Sequence, residues 1–365
     1  MKDGTFLFVT CPFGGTEVFM KNLRTYVESR GDIPSHWLEI PGVAPSMMRG
    51  FSSLRHNWTL RASGATFREI RELRRRGTII KAAFFNHLTS VSTLLGYRQR
   101  IACILSMDTT PVLLNHDRHW YKPEGFQTRG ITERLSQEWT RHTYAAMKYL
   151  LPWSKFVQNS LIDDYGVQPE RAIVLPPGID LAFWKPNNNR SERPNLAVLF
   201  VGGDFVRKGG DVLLQAALVE NLRDVQFHFV TNSFNGPTPK NVHVYSGVTP
   251  NSPLLMKLYH ESDVFVLPTK ADYAPTNAVV EAFAMGLPVI TTDVGGLGDL
   301  INDGENVFVV QRNDSGDLSQ RLLRLKMDVQ LLDRLKSNAR VYAEQNFDIN
   351  RSASRIVDLL REVSA

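Results

Sequence analysis

Cysteine is nearly absent: Cys11 and Cys103 are the only two in 365 residues. A disulfide framework and cysteine-based metal ligation are excluded, and a cytoplasmic address is expected. No apolar run approaches the roughly 20 residues of a membrane-spanning helix. The apolar opening Thr5-Phe-Leu-Phe-Val-Thr10 is too short for a signal peptide, and no cleavage site follows it. The dinucleotide fingerprint G-x-G-x-x-G is missing, which counts against a dehydrogenase. So are zinc-type His/Glu spacing, a Ser-His-Asp elbow and a P-loop. Asp163-Asp164 sits in a helical stretch before Tyr165-Gly166 and reads as solvated surface, so no metal site is expected.

What is present is a soluble, globular composition, 43% hydrophobic and 22% charged, with length for two domains. The charge is uneven. Residues 1–150 carry 21 Lys/Arg against 12 Asp/Glu, and the remainder 21 against 25. Much of the excess lies in Arg49, Arg55, Arg61, Arg68, Arg71, Arg74, Arg75 and Arg76. Such a surface attracts phosphates, acidic polysaccharide, anionic lipid or nucleic acid, and a solvated helix face is the plain alternative.

Strand-like and helix-like segments alternate, which argues for parallel sheets. In the first half, strands are expected at Thr5–Thr10, Ser35–Ile40, Thr78–Phe85, Arg100–Ser106 and Arg171–Leu175. Helices are expected at Val18–Ser29, Phe51–Arg75 and Thr140–Leu151. Pro176-Pro-Gly-Ile-Asp180 and the polar stretch Pro186–Pro194 read as a linker, with Gly178 able to take a positive φ. A second α/β series follows, with strands at Leu196–Val201, Val225–Val230, His243–Tyr245, Val264–Leu267 and Val289–Thr292. The expected division is residues 1–185, residues 186–346, and a final helix over 347–365.

Two loops carry the chemistry. In Pro268-Thr-Lys-Ala-Asp-Tyr-Ala-Pro-Thr276 a buried strand ends, a loop follows, and Thr276 or Asn277 caps a helix in which Glu281 lies one turn in. Free N–H groups and an acid thus meet at strand C-terminal ends, where open α/β sheets bind ligands. In Phe200-Val-Gly-Gly-Asp-Phe-Val-Arg-Lys-Gly-Gly210, Arg207 and Lys208 lie in a glycine loop. There they can meet a diphosphate, Arg as a bidentate fork and Lys as a point charge.

Glu281-Ala-Phe-Ala-Met-Gly-Leu-Pro-Val289 resembles the donor motif of retaining GT-B glycosyltransferases, in particular glycosyltransferase family 4. That family places a first acid eight positions ahead of this one, with seven residues between the two. Here the position is Tyr273, and Asp272 stands one place earlier, so Asp272 or Tyr273 takes the place of the first acid. The resemblance implies an α/β GT-B fold of two Rossmann-like domains facing a cleft, an N-terminal acceptor domain and a C-terminal nucleotide-sugar domain. The last helix is expected to cross back to the first domain.

The activity implied is retaining, metal-independent transfer of a sugar from a nucleotide-diphosphate donor to a hydroxyl of a glycan, lipid-linked or small-molecule acceptor, with no cofactor. Arg207 and Lys208 would stabilise the departing diphosphate and Glu281 would hold the ribose. Donor contacts are also implied for Gly14 and Gly15 of the first glycine loop, for Gly203, Thr276 and Asn277, and for Gly247 and Val248 in Tyr245-Ser-Gly-Val248. Asp108, in Ser106-Met-Asp-Thr-Thr-Pro111, stands near where relatives place a histidine and is a catalytic or acceptor-side candidate. His87, His116 and His119 lie nearby in sequence.

Peripheral contact with the anionic inner membrane face is a further expectation, and nucleic acid is not an expected partner. Two other readings stand beside this one. A nucleotide-sugar epimerase of the same fold would need a paired set of acids or histidines that is not apparent. An anionic-ligand binding protein would explain the basic first half but not the Lys208 and Glu281 loops.

Overall fold

The computed structural model describes residues 4–11, 15–40, 58–91, 100–121, 131–186, 195–300 and 304–364. The chain forms two compact units, residues 1–178 with 349–365, and residues 179–348.

The first unit runs β1 (Thr5–Thr10), α1 (Gly15–Ser29), β2 (Ser35–Glu39), α2 (Trp58–Arg75), β3 (Ile80–Phe85), β4 (Ala102–Met107), α3 (Pro111–His116), α4 (Arg118–Tyr121), α5 (Ile131–Ala145), β5 (Tyr149–Pro152) and α6 (Lys155–Asp163). Its sheet is parallel, in the order β2-β1-β3-β4-β5. Leu7, Phe8, Val9, Phe84, Phe85, Ile104 and Leu105 are wholly buried in it. Continuous apolar runs of this kind suit strands covered on both faces.

Two sequence expectations fail here. The helix expected over Thr140–Leu151 ends at Ala145, and Tyr149–Pro152 is β5. Leu150 and Leu151 are apolar at both parities, and periodicity alone does not separate a short buried strand from a helix end. The strand expected over Arg171–Leu175 is not formed. Ile173 and Leu175 donate N–H bonds to Leu150 and Pro152, but only Leu150 and Ala172 form a bridge. Pro176 and Pro177, which lack N–H donors, follow at once. The part of the expected helix before Trp58 lies outside the described residues.

The second unit runs β6 (Ala197–Val201), α7 (Gly210–Ala216), β7 (Gln226–Val230), β8 (Val242–Tyr245), α8 (Pro253–Glu261), β9 (Val264–Leu267), α9 (Asn277–Ala284), β10 (Val289–Thr291), β11 (Val307–Val309), α10 (Ser315–Met327) and α11 (Val329–Asn346). Its sheet is also parallel, in the order β11-β10-β9-β6-β7-β8. Strand β11, three residues long at the sheet edge, was not expected from the sequence. On α11, the Arg340 guanidinium donates to the carbonyls of Leu181, Trp184 and Ala284.

The chain leaves the first unit at Gly178–Ile179 rather than at 185, because Ile179 and Trp184 are buried in the second unit's core. It returns at Asp348–Ile349, and α12 (Ile349–Ser364) packs on α1 and β3. The buried stripe Ile349, Ala353, Ile356, Val357 and Leu360 repeats at helical spacing, and Arg361 pairs with Asp32 at 2.8 Å. Gly178 is not among the positive-φ residues. Its constraint is space instead, since a Cβ there would lie 2.4 Å from the Ile349 Cα.

Candidate functional site

In the second unit's sheet the strand order reverses at β6, whose neighbours are β7 on one side and β9 on the other. Ligands of open α/β sheets bind outside the strand ends at such a point. The loop after β6 carries Gly203, Asp204, Arg207 and Lys208. The loop after β9 carries Thr269, Lys270, Asp272, Tyr273 and Thr276.

The two loops are tied together by backbone. The Lys270 N–H donates to the Arg207 carbonyl at 2.8 Å. Gly209 has φ +77° and lies so close to Pro268 that a Cβ would stand 2.0 Å from its carbonyl oxygen. A glycine there meets both demands, the left-handed backbone and the close approach.

Charge then fills the junction. Asp272 is 7% exposed. Its Oδ1 accepts from Lys208 Nζ at 2.6 Å and from Arg207 Nη1 at 3.2 Å. Its Oδ2 accepts from Thr269 Oγ1 at 2.7 Å. Arg207 also donates to the Ala271 carbonyl at 2.9 Å and, through Nε, to Asp204 Oδ2 at 3.4 Å. Beside them Lys270 pairs with Asp211 at 2.6 Å. Burial pushes the Lys208 ammonium below its ordinary pKa, and Asp272 pulls it back up.

Asp272, rather than Tyr273, therefore presents a carboxylate to the cations. Tyr273 is buried at 6% exposure. Gly203 is exposed, with open space where a Cβ would be.

Helix α9 begins in the same loop. The Thr276 hydroxyl caps it by accepting from the Val279 N–H, and Asn277 and Ala278 are its first residues. Glu281, 4% exposed, projects one turn in. Its Oε2 accepts from the Tyr259 hydroxyl on α8 at 2.9 Å. Among the described residues nothing donates to Oε1. Burial pushes the carboxyl pKa up to about 7, and the Tyr259 hydrogen bond opposes that rise.

At the same end of the sheet, beyond β8, Gly247 has φ +72° and donates its N–H to Asn232 Oδ1 at 2.7 Å. Val248 packs half-buried on the core. Arg207, Lys208, Asp272 and Thr276 thus lie on two adjoining loops, with Glu281 on the helix the second loop opens, and Gly247 and Val248 beyond β8.

The remaining candidates belong to the first unit. Asp108 is exposed just after β4. Gly15 opens α1, and Gly14 lies outside the described residues. Cys11, at the end of β1, exchanges two backbone hydrogen bonds with the Asn86 side chain, N–H to Oδ1 at 2.8 Å and Nδ2 to the carbonyl at 3.1 Å. His87 caps the short turn after β3, and burial pushes its pKa down to about 4. His116 ends α3, and the His119 ring lies tilted against that of Trp120, with centroids 5.0 Å apart.

Sequence reasoning missed Asn86, Tyr259 and Thr269. Asn86 follows a strand end directly, which is a usable signal. Tyr259 has none, being one apolar position of an ordinary helix.

Among the described residues, no group of three or more His, Cys, Asp or Glu side chains is placed to hold a metal ion. No described helix is long and apolar enough to cross a membrane.

Comparison with known proteins agrees with this architecture. The fold is GT-B, that of many glycosyltransferases. Sucrose-phosphate synthase from Thermosynechococcus elongatus superposes with TM-score 0.77 at 15% identity, covering 99% of each chain. Anabaena HepE, solved in complex with UDP, superposes with TM-score 0.68 at 17% identity, covering 98% of this chain and all of that one.

Residues 195–328 match the family described as glycosyl transferases group 1. A D-inositol 3-phosphate glycosyltransferase of Thermomonospora curvata is 29% identical over 213 residues, half of this chain and 49% of its own length. The chain spans about half the length of the curated relatives it matches.

Proposed function

We propose that the protein is a retaining, metal-independent glycosyltransferase that moves a sugar from a nucleotide-diphosphate donor to a hydroxyl acceptor. The observation that carries this reading is the pair of cations Arg207 and Lys208 on the β6 loop, bonded to Asp272 in the loop that leads into α9, with Glu281, whose Oε1 accepts from nothing among the described residues, one turn inside that helix. An anionic diphosphate suits the cations, and a ribose hydroxyl suits the carboxylate.

In this mechanism the donor lies on the second unit. Its ribose donates to Glu281, and the base meets the Gly247-Val248 backbone. Lys208 and Arg207 stabilise the charge that grows on the diphosphate as the glycosidic bond breaks. The acceptor hydroxyl attacks on the face the diphosphate leaves, which retains the anomeric configuration. Its proton passes to the departing phosphate. Asp272, Thr276 and Asn277 border the sugar.

The donor class is supported by HepE, which has been solved with UDP and with UDP-glucose. The named relatives act as glycosyltransferases, among them the D-inositol 3-phosphate enzyme and an MMP alpha-(1->4)-mannosyltransferase.

The acceptor side falls to the first unit, with Asp108 and the loops after β1 and β3. On α2, Arg61, Arg68, Arg71 and Arg75 are exposed and share one stripe, opposite the buried Ala62, Thr66, Ile70 and Leu73. That stripe fits an anionic membrane face carrying a lipid-linked acceptor.

The test is proton NMR of the product formed from a turned-over nucleotide sugar, run with and without EDTA. An axial donor giving an axial product at an unchanged rate in EDTA is expected. Inversion, or loss of turnover in EDTA, would refute the corresponding part of the reading.

A further inference from the structure

The charges at the β6–β9 junction cancel. Arg207, Lys208 and Lys270 stand against Asp204, Asp211 and Asp272, and each cation is already paired. The junction therefore has no surplus positive charge for an incoming anion. The two cations assigned to the donor phosphates share one partner atom, Oδ1 of Asp272. That carboxylate is itself nine-tenths buried and fixed from behind by Thr269 Oγ1.

We infer that Asp272 is an internal competitor for the phosphate seat. In the free protein its carboxylate holds both cations in place, and a nucleoside diphosphate binds by displacing it from them. This rests on the donor reading above. A spare buried ammonium and guanidinium would be costly without an anion. Asp272 supplies that anion while the site is empty, and keeps Lys208 and Arg207 at the geometry the diphosphate needs.

The exchange has a consequence for selectivity. Displacing a carboxylate that accepts from two cations at once requires a ligand that can satisfy both. A diphosphate has oxygens on two phosphorus atoms for this, and a monophosphate or a halide meets it less well. Once displaced, Oδ1 of Asp272 is a free acceptor on the same loop, available to a sugar hydroxyl of the bound donor. Diphosphate binding and the release of an acid toward the sugar are then one event.

Calorimetric titration tests this, using UDP and inorganic pyrophosphate on the whole protein and on Asp272→Asn. Removing the competitor leaves a cationic junction. Asp272→Asn is expected to bind both ligands about tenfold tighter than the unmodified protein, the scale of one charged hydrogen bond. Its binding should also weaken more steeply with salt. A merely structural Asp272 would not produce tighter, more salt-sensitive binding.

Equal or weaker binding by a folded Asp272→Asn overturns the inference and leaves the donor reading standing. Failure of the unmodified protein to bind UDP, ADP or GDP overturns the donor reading and this inference with it. If Asp272→Asn does not fold, the unmodified protein decides the matter. Binding that is nearly indifferent to salt supports a neutral, self-occupied junction, and a steep salt dependence contradicts it.

Discussion

The Tyr259 hydroxyl lies 2.9 Å from Oε2 of Glu281 and 3.0 Å from the Ala278 carbonyl, with both side chains buried. One hydroxyl proton cannot serve two acceptors. With the carboxylate charged the hydroxyl donates to Oε2; burial is what raises the carboxyl pKa to about 7, and that hydrogen bond opposes the rise. The pair links the protonation of Glu281 to the site it faces. Ribose hydroxyls donate best to the carboxylate, so nucleotide affinity is expected to rise with pH toward about 7 and level off above it.

Tyr259→Phe removes the hydrogen bond that holds this pKa down. The rise in affinity should then move to higher pH, seen by calorimetry with UDP across pH 6 to 9. An unshifted profile would detach Tyr259 from the site.

The same pair sets a stability prediction. The folded pKa of Glu281, about 7, lies above its ordinary value of 4.5. The fold therefore favours the protonated acid. Its contribution is fully present below about pH 4.5 and is lost as pH rises through about 7, a difference on the order of 3 kcal/mol. Glu281→Gln should raise the melting temperature at pH 8, with the gain vanishing near pH 5, while weakening UDP binding. Stabilisation without loss of binding would leave Glu281 without a role at the site.

Lys208→Ala and Arg207→Ala should each lower turnover at least about tenfold, equivalent to about 1.4 kcal/mol of barrier. Melting curves separate this from unfolding, because Lys208→Ala also leaves Asp272 with one cation fewer. Full rates in both folded variants would remove the leaving-group assignment.

Gly209→Ala tests the junction itself. The left-handed backbone at φ +77° costs a residue with a Cβ about 1–2 kcal/mol, before the clash with Pro268 is counted. A lower melting temperature and weaker UDP binding together are expected, by calorimetry and differential scanning. Loss of stability alone would mean that the loop spacing does not set the site.

Much of this was legible in the sequence, for reasons that differ by residue. Lys208 and Glu281 lie in local strings, a glycine loop after a strand and an acid one turn into a capped helix. Tyr259 was not legible because its contact with Glu281 crosses between two helices, and nothing in α8 marks it. Asp272 and Tyr273 differ by a single residue of spacing, and the contact of the Asp272 carboxylate with Arg207 and Lys208 depends on the loop's path, which the sequence does not show. Strand β5 was misread because Leu150 and Leu151 fit a helix end as well as a buried strand. Gly178 was read for its backbone freedom, but its neighbour Ile349 is remote in sequence, so the steric reason appears only in the fold.

The arginine stripe of α2 predicts co-flotation with anionic but not neutral liposomes, decreasing with salt. Each cation near such a surface is worth about 1 kcal/mol and is screened within a Debye length. Equal recovery on both liposomes, or binding indifferent to salt, would leave a soluble acceptor as the better assignment.

The central claim is tested most directly by following nucleoside diphosphate release from a panel of UDP-, GDP- and ADP-sugars, with the unmodified protein and Lys208→Ala side by side. The account predicts that at least one donor is turned over, and that the rate falls at least about tenfold in Lys208→Ala. Release from none of them, with no nucleoside diphosphate bound in calorimetry, would contradict it.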